Sequence, residues 1–214
     1  MRVTGPVGFD LDLTLINSRP AIMAAWSAVS AETGVPIDLE EVDQRMGIKL
    51  EDEVAFWFGP DELVRAADCY RRHYVELAPR LTTLLPGAVE AMTAVQRAGE
   101  RAVIITAKHP VSVQPSLAAV SLAPDEVFTH VHGPEKSAVL RTLRAAAYVG
   151  DTPPDMMAAR QAGATALGVT TGSFTAGELR AAGAEVTFES LHEFPSWYAG
   201  FRDAEGEERA IDGN

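Results

Sequence analysis

Two rhythms of apolar and polar positions alternate along this chain. Short apolar runs at 7–9, 102–106, 146–149 and 166–170 have the length and composition of buried strands. Helical patterns separate them. Residues 86–99 open on Pro86 and close on Gly99, which is the punctuation of a helix, and 154–163 repeats the arrangement from Pro154 to Gly163. Strands alternating with helices predict an α/β fold, a mostly parallel sheet covered by helices on both faces. Functional groups should collect at the carboxyl ends of its strands.

The region 17–84 follows a different rule, with amphipathic helical spacing and no strand-like run. Ile22, Trp26 and Val29 fall on one helical face, as do Leu50, Val54 and Trp57, and then Leu63, Ala67, Tyr70, Tyr74 and Leu77. Core packing is the plain reading of these stripes. The expected organisation is an α/β core from 1–16 and 85–201, an inserted helical unit at 17–84, and a disordered tail at 202–214, where RDAEGEERAIDGN is almost free of apolar residues.

Composition narrows the partners. A chain of 214 residues with 47% hydrophobic content can bury a full core. Its single cysteine, Cys69, excludes an intramolecular disulfide and fits a reducing compartment. The amino terminus has no charged-then-apolar signal pattern, so a cytoplasmic location is expected. No apolar run approaches the ~20 residues that span a bilayer, which argues against a membrane protein. A net charge of −12 argues against nucleic acid as partner, because binding a phosphate backbone needs clustered Lys and Arg. A small phosphorylated molecule can still be held by a few oriented donors and one local cation. These patterns do not specify an oligomeric state.

The first strand ends in Asp10-Leu11-Asp12-Leu13-Thr14, placing two carboxylates two residues apart on one side of an extended chain. Alone, the pair reads equally as turn or cap residues. Thr106 closes the second strand, Lys136 lies at a helix start in GPEKSAVL, and Asp151 and Asp155 follow another strand in GDTPPD. A parallel sheet brings all of these to one edge.

In order and spacing, FDLDLT, IITAK, the Lys of GPEKSAVL and VGDTPPD resemble the four motifs of the haloacid dehalogenase superfamily. The stretch AARQAGATALGVTTGSFTAGELRAAGA resembles its phosphoglycolate-phosphatase-like branch, which carries a helical cap where this chain has its insertion. The resemblance implies a Rossmann-like core and a Mg²⁺-dependent phosphatase. Its substrate would be a phosphomonoester of a small metabolite, phosphoglycolate-like or a sugar phosphate. Asp10 would form an aspartyl-phosphate and Asp12 would act as general acid and base. Mg²⁺ would take the carboxylates of Asp10 and Asp151 and the backbone carbonyl of Asp12. Thr106, Lys136 and the backbone N–H groups of Ala107, Leu11 and Asp12 would hold the phosphate. Asp155 would bond a metal water or Lys136, or simply cap its helix.

Two alternatives stay open, a β-phosphoglucomutase-like phosphotransferase and a non-catalytic phosphate-ligand binding protein. Dehalogenation is disfavoured by Asp12, since a halide leaving group needs no proton. The family commonly has Gly where this chain has Leu13, so either the turn uses an ordinary φ or it tolerates strain. In the insertion, Arg45 and Lys49 flank Gly47 and could reach an anionic part of the substrate, as could Arg19; each is otherwise a solvated charge. The five histidines show no helical metal-ligand pair and no companion cysteine cluster. His130 and His132 would share a strand face, so a transition-metal pair is conceivable, but surface or sheet-edge positions are expected for them. Lys108 and His109 lie close enough to Thr106 to tune the site.

Overall fold

Strands β1 (Val7–Phe9), β4 (Ala102–Ile105), β5 (Glu126–Phe128), β6 (Ala147–Gly150), β7 (Thr165–Val169) and β8 (Val186–Phe188) form one sheet in the order β5-β4-β1-β6-β7-β8. Every neighbouring pair runs parallel. The computed structural model describes residues 4–212, with side chains as far as 203. The four central strands are buried along their whole length, which is why they read as unbroken apolar runs rather than alternating ones.

Successive residues nevertheless serve opposite faces. Phe9, Ile104 and Val149 join a cluster under α5 (Ala88–Arg97), α6 (Pro110–Val120) and α10 (Phe194–Asp212). Val103, Ile105 and Tyr148 join another under α7 (Pro134–Leu143), α8 (Pro153–Ala162) and α9 (Ala176–Ala181). The edge strands β5 and β8 went unread in the sequence because each has three residues and is only partly buried, leaving no apolar run to detect. The segment expected as a disordered tail is helical in backbone to Asp212, as the end of α10. Arg202 anchors that segment's start through an ion pair to Glu100 at 3.2 Å. The last two residues of the expected tail lie outside the described residues.

The chain leaves the core through β2 (Ile16–Asn17) and returns through β3 (Thr83–Leu84), two strands paired antiparallel. This two-residue ribbon lay inside the region read as strand-free. Between its strands stand α1 (Arg19–Thr33), α2 (Leu39–Gln44), α3 (Leu50–Trp57) and α4 (Leu63–Leu81), which share a hydrophobic cluster of their own. That cluster contains every residue of the three apolar stripes seen in the sequence. Helix α4 packs on α1 within the insertion and on α6 of the core. The architecture is therefore α/β, a parallel sheet with helices on both faces and an inserted helical cap. Among the described residues no helix is long and apolar enough to cross a membrane.

Candidate active site

Asp10, Thr106 and Asp151 each follow the last residue of adjacent strands β1, β4 and β6, so backbone register alone sets them side by side. The N–H of Asp10 donates to the Val149 carbonyl at 2.8 Å, which extends the β1–β6 pairing into the site. The chain then reverses over 11–16, with the N–H groups of Leu15 and Ile16 both donating to the Leu11 carbonyl at 3.0 and 3.1 Å. Among the described residues, the backbone N–H groups of Leu11, Asp12 and Ala107 have no protein acceptor. Three donors at one sheet edge make a cradle for an anion.

The reversal settles the question of Leu13, whose φ is +58°. A left-handed Leu costs about 1–2 kcal/mol. Its side chain is only 5% exposed, and burying a Leu contributes about 1.5–3 kcal/mol, enough to offset the strain. Leu13→Gly relieves the strain but forfeits the burial, so it should lower unfolding free energy by at most about 2 kcal/mol and leave turnover within a few-fold. Urea denaturation and initial rates check this; a collapse of turnover would mean that the Leu13 side chain itself serves the site.

Lys136, in the first turn of α7, bonds Asp10 Oδ1 at 2.8 Å and Asp155 Oδ1 at 2.6 Å. Asp155 does two things at once. Its Oδ2 accepts from the Thr152 hydroxyl at 2.6 Å and the Thr152 N–H at 3.3 Å, capping α8, while Oδ1 holds Lys136. Tyr148 donates to the Ile105 carbonyl at 2.9 Å and supports Asp155 from below at 3.3 Å. Asp151 accepts from the Thr14 hydroxyl at 3.0 Å. Two glycines make room for these carboxylates. A Cβ on Gly172 would lie 2.0 Å from Asp151 Oδ2, and one on Gly150 would lie 2.5 Å from the Asp155 Cβ.

Asp10, Asp151 and Asp155 bring carboxylate oxygens within 4.8 Å of one another, and all three residues are buried. Among the described residues, Lys136 is the cation paired with them, through Asp10 and Asp155. Burial raises the Asp10 carboxyl from 3.8 to about 7, against Lys136 and with help from Asp155 and Asp12. Burial likewise holds Asp151 well above its ordinary value, with Asp10 and Asp155 adding to the effect. A buried all-oxygen donor set with surplus negative charge suits a hard divalent cation, so these residues fit Mg²⁺.

The same shift has a consequence for stability. An acid whose folded pKa exceeds its unfolded value binds more protons when folded. The Asp10 contribution is therefore present below about pH 4 and is lost as pH rises through about 7. In metal-free buffer the wild type should lose stability across this window more steeply than Asp10→Asn, by up to about 1.4 kcal/mol per pH unit. Saturating Mg²⁺ should flatten the difference, and urea denaturation at several pH values measures it.

Asp12 faces away from this cluster. Its Oδ1 lies 2.8 Å from Lys108 Nζ, and the Lys108 side chain is 8% exposed. The Asp12 carboxylate is therefore not among the clustered acids, and only its backbone carbonyl was expected at the metal. Burial opposes the charge on Lys108, but Asp12, Tyr74 and Tyr70 together outweigh it and raise the ammonium's pKa. The ammonium also sits 4.2 Å above the Tyr74 ring, and the Tyr74 hydroxyl bonds Ser116 Oγ at 3.0 Å. Tyr74, read from the sequence as core packing, thus joins cap and core beside Asp12. Lys108 carries more of the site than its reading as a tuning residue. The available signal was its position two residues beyond Thr106, whose Oγ1 accepts the Lys108 N–H at 3.2 Å.

The cap closes over these groups and leaves a cavity of about 160 Å³, lined by Asp10, Lys108 and Lys136 from the core and Trp26, Tyr70 and Arg45 from the cap. Thr106 and Ala107 line it as well. Arg45 is held by Glu53 at 3.0 Å, and the Trp57 indole N–H fixes the other oxygen of that buried carboxylate at 2.7 Å. Gly47, Ile48 and Leu50 also line the cavity, but Lys49, the exposed residue before α3, does not. Arg19 bridges cap and core, donating to Asp43 at 2.8 Å and to Ser173 at 3.2 Å.

Cys69 and His73, one turn apart on α4, come together with Glu32 of α1, a helical pair of ligating side chains that the sequence reading passed over. His132 is buried just beyond the edge strand β5, where it meets His130 and Glu51 beside the cavity.

Residues 7–169 match the family model described as haloacid dehalogenase-like hydrolase. The chain belongs to the haloacid dehalogenase-like hydrolases and is an enzyme of that class. A Dickeya dadantii protein described as probable phosphatase IndB is 28% identical over 207 residues, covering 86% of this chain and 89% of the relative. A Mannheimia succiniciproducens protein named phosphoglycolate phosphatase is 25% identical over 193 residues, covering 78% and 85%. The solved structure of a haloacid dehalogenase-like hydrolase from Streptococcus pneumoniae superposes with a TM-score of 0.79 at 23% identity, covering 92% of this chain and all of that one, which establishes the shared fold.

Proposed function

We propose that this enzyme is a Mg²⁺-dependent phosphatase that hydrolyses a phosphomonoester of a small metabolite through an aspartyl-phosphate on Asp10. The observation that carries the reading is the division of the acids. Asp10 stands with Asp151, Asp155 and Lys136, whereas Asp12, two residues on, stands apart with Lys108. This division supports giving one carboxylate the bond to phosphorus and the other the proton.

In this reading an Asp10 carboxylate oxygen attacks phosphorus as the ester oxygen leaves, and Asp12 gives that oxygen its proton. Water then attacks the aspartyl-phosphate while Asp12 takes a proton back. Lys136 restrains Asp10 and the phosphate, and Thr106 with the free N–H groups of Leu11, Asp12 and Ala107 binds the equatorial oxygens. Lys108 positions Asp12. The carboxylates of Asp10 and Asp151 and the carbonyl of Asp12 would hold Mg²⁺, which would supply charge that offsets repulsion between phosphate and nucleophile.

The helices between β2 and β3 act as a cap that keeps out bulk water, and the size of the cavity suits a compact substrate. Arg45, oriented by Glu53, is the cap's candidate for an anionic substrate group. Relatives named phosphoglycolate phosphatase make phosphoglycolate the first substrate to test, with sugar phosphates next. The test is inorganic phosphate release from a panel of such compounds with and without Mg²⁺. Mg²⁺-dependent release is expected; isomerisation of a sugar phosphate without release would replace the phosphatase by a mutase, and folded protein inactive on the whole panel would leave a binding protein.

A further inference from the structure

We infer that Glu51, His130 and His132 form a second metal site, for a divalent transition-metal ion of the zinc class, which clamps the cap onto the core at the cavity's edge. Glu51 lies in the first turn of α3 in the cap, whereas His130 and His132 follow β5 in the core. Each offers one ligand atom, and the three atoms lie within 4.8 Å of one another. Two imidazoles and a carboxylate are a donor set that zinc-class ions take in tetrahedral sites, with a fourth position left for water. They are a poor set for Mg²⁺, which prefers oxygen alone.

The surroundings look built rather than accidental. His132 is 7% exposed, and its Nε2 is a buried polar atom with no hydrogen-bond partner among the described residues. Leaving such an atom unpaired costs about 1–3 kcal/mol, a cost that a ligand to the ring would remove. His130 has φ +58°, a conformation uncommon outside glycine, and its ring packs 5.0 Å from that of His132. Arg71 holds Glu51 Oε1 at 2.7 Å, orienting the carboxylate and leaving its second oxygen to offer.

The clamp would act on turnover through its position. The His130 N–H donates to the Lys108 carbonyl at 2.9 Å, and the Val131 N–H to the Thr106 carbonyl at 3.0 Å. An ion here would tie α3 to the loop after β5, which is hydrogen-bonded to the Thr106–Lys108 segment. Lifting the cap would then require breaking a metal–ligand bond, so the ion would slow entry and release. Inhibition by micromolar Zn²⁺ that excess Mg²⁺ does not relieve is the expected signature.

The decisive measurement is calorimetric titration of Zn²⁺ into full-length protein in saturating Mg²⁺. An Asp151→Asn, Cys69→Ser background weakens the catalytic carboxylate cluster and the Glu32–Cys69–His73 cluster as competitors by taking one ligand from each. One Zn²⁺ per chain is expected, with affinity at least tenfold weaker in both His130→Gly and Glu51→Gln. Both positions are exposed, and glycine keeps the His130 backbone conformation, so these variants should fold where a His132 variant could fail. No Zn²⁺ bound, or unchanged affinity in either variant, overturns the inference. The readout is binding, so its outcome is independent of whether the enzyme is a phosphatase.

Discussion

Asp10→Asn is expected to lower phosphate release by on the order of 10⁴-fold or more while leaving the metal-free protein at least as stable as wild type. The two effects have one cause. Asparagine keeps the volume of aspartate, so packing at the β1 terminus is undisturbed, but its amide cannot form the acyl-phosphate. The charge it removes is one the folded state holds at a cost, since burial lifts the Asp10 carboxyl to about 7. Lys136 is not orphaned by the change, because Asp155 still holds it at 2.6 Å. Initial rates of phosphate release and urea denaturation at pH 8 test both halves. Retained activity would remove Asp10 as nucleophile, and a large loss of stability would mean that the Lys136–Asp10 pair is structural first.

Lys136→Met should do the reverse to stability. It keeps most of the buried side-chain volume but leaves Asp10 and Asp155 without the ammonium that bonds both, beside the third buried acid, Asp151. Breaking a buried ion pair by removing one partner costs about 3–5 kcal/mol, and here two carboxylates lose the same ammonium. Mg²⁺ should restore part of that loss, because a cation among the remaining carboxylates replaces some of the missing charge. Turnover should stay depressed by about 10²–10³-fold even in Mg²⁺, since the donor to the phosphate is gone. Denaturation curves with and without Mg²⁺, paired with rates, separate these effects. Equal destabilisation in both conditions would show that Lys136 matters through packing rather than charge. Lys108→Met provides the contrast: it faces a single carboxylate, so a smaller loss of stability is expected with a loss of turnover.

Much of this molecule was legible because the information was local. A strand buried on both faces has to be apolar throughout, and β1, β4, β6 and β7 announced themselves for that reason. Helical periodicity marked the cap stripes, and every residue named on them lies in the cap's own cluster. The convergence of Asp10, Thr106, Lys136 and Asp151 also followed from local facts, since each stands at a strand end or helix start and a parallel sheet aligns those positions. Short edge strands such as β5 gave no such signal, and the helical end of α10 was hidden by its lack of an apolar stripe.

By itself, then, the amino-acid sequence determined the α/β class, the inserted helical unit and the set of acids at one sheet edge, because periodicity and strand-end placement are properties of neighbouring residues. Only the tertiary structure decided how those groups are paired. That Lys136 sits between Asp10 and Asp155, that Asp12 turns to Lys108 beneath Tyr74, and that Glu51 meets His130 and His132 all depend on side chains distant in sequence. Leu13 shows the same division at one residue: the sequence posed the conflict between a bulky side chain and a tight turn. The fold resolved it by burying the leucine deeply enough to hold φ at +58°.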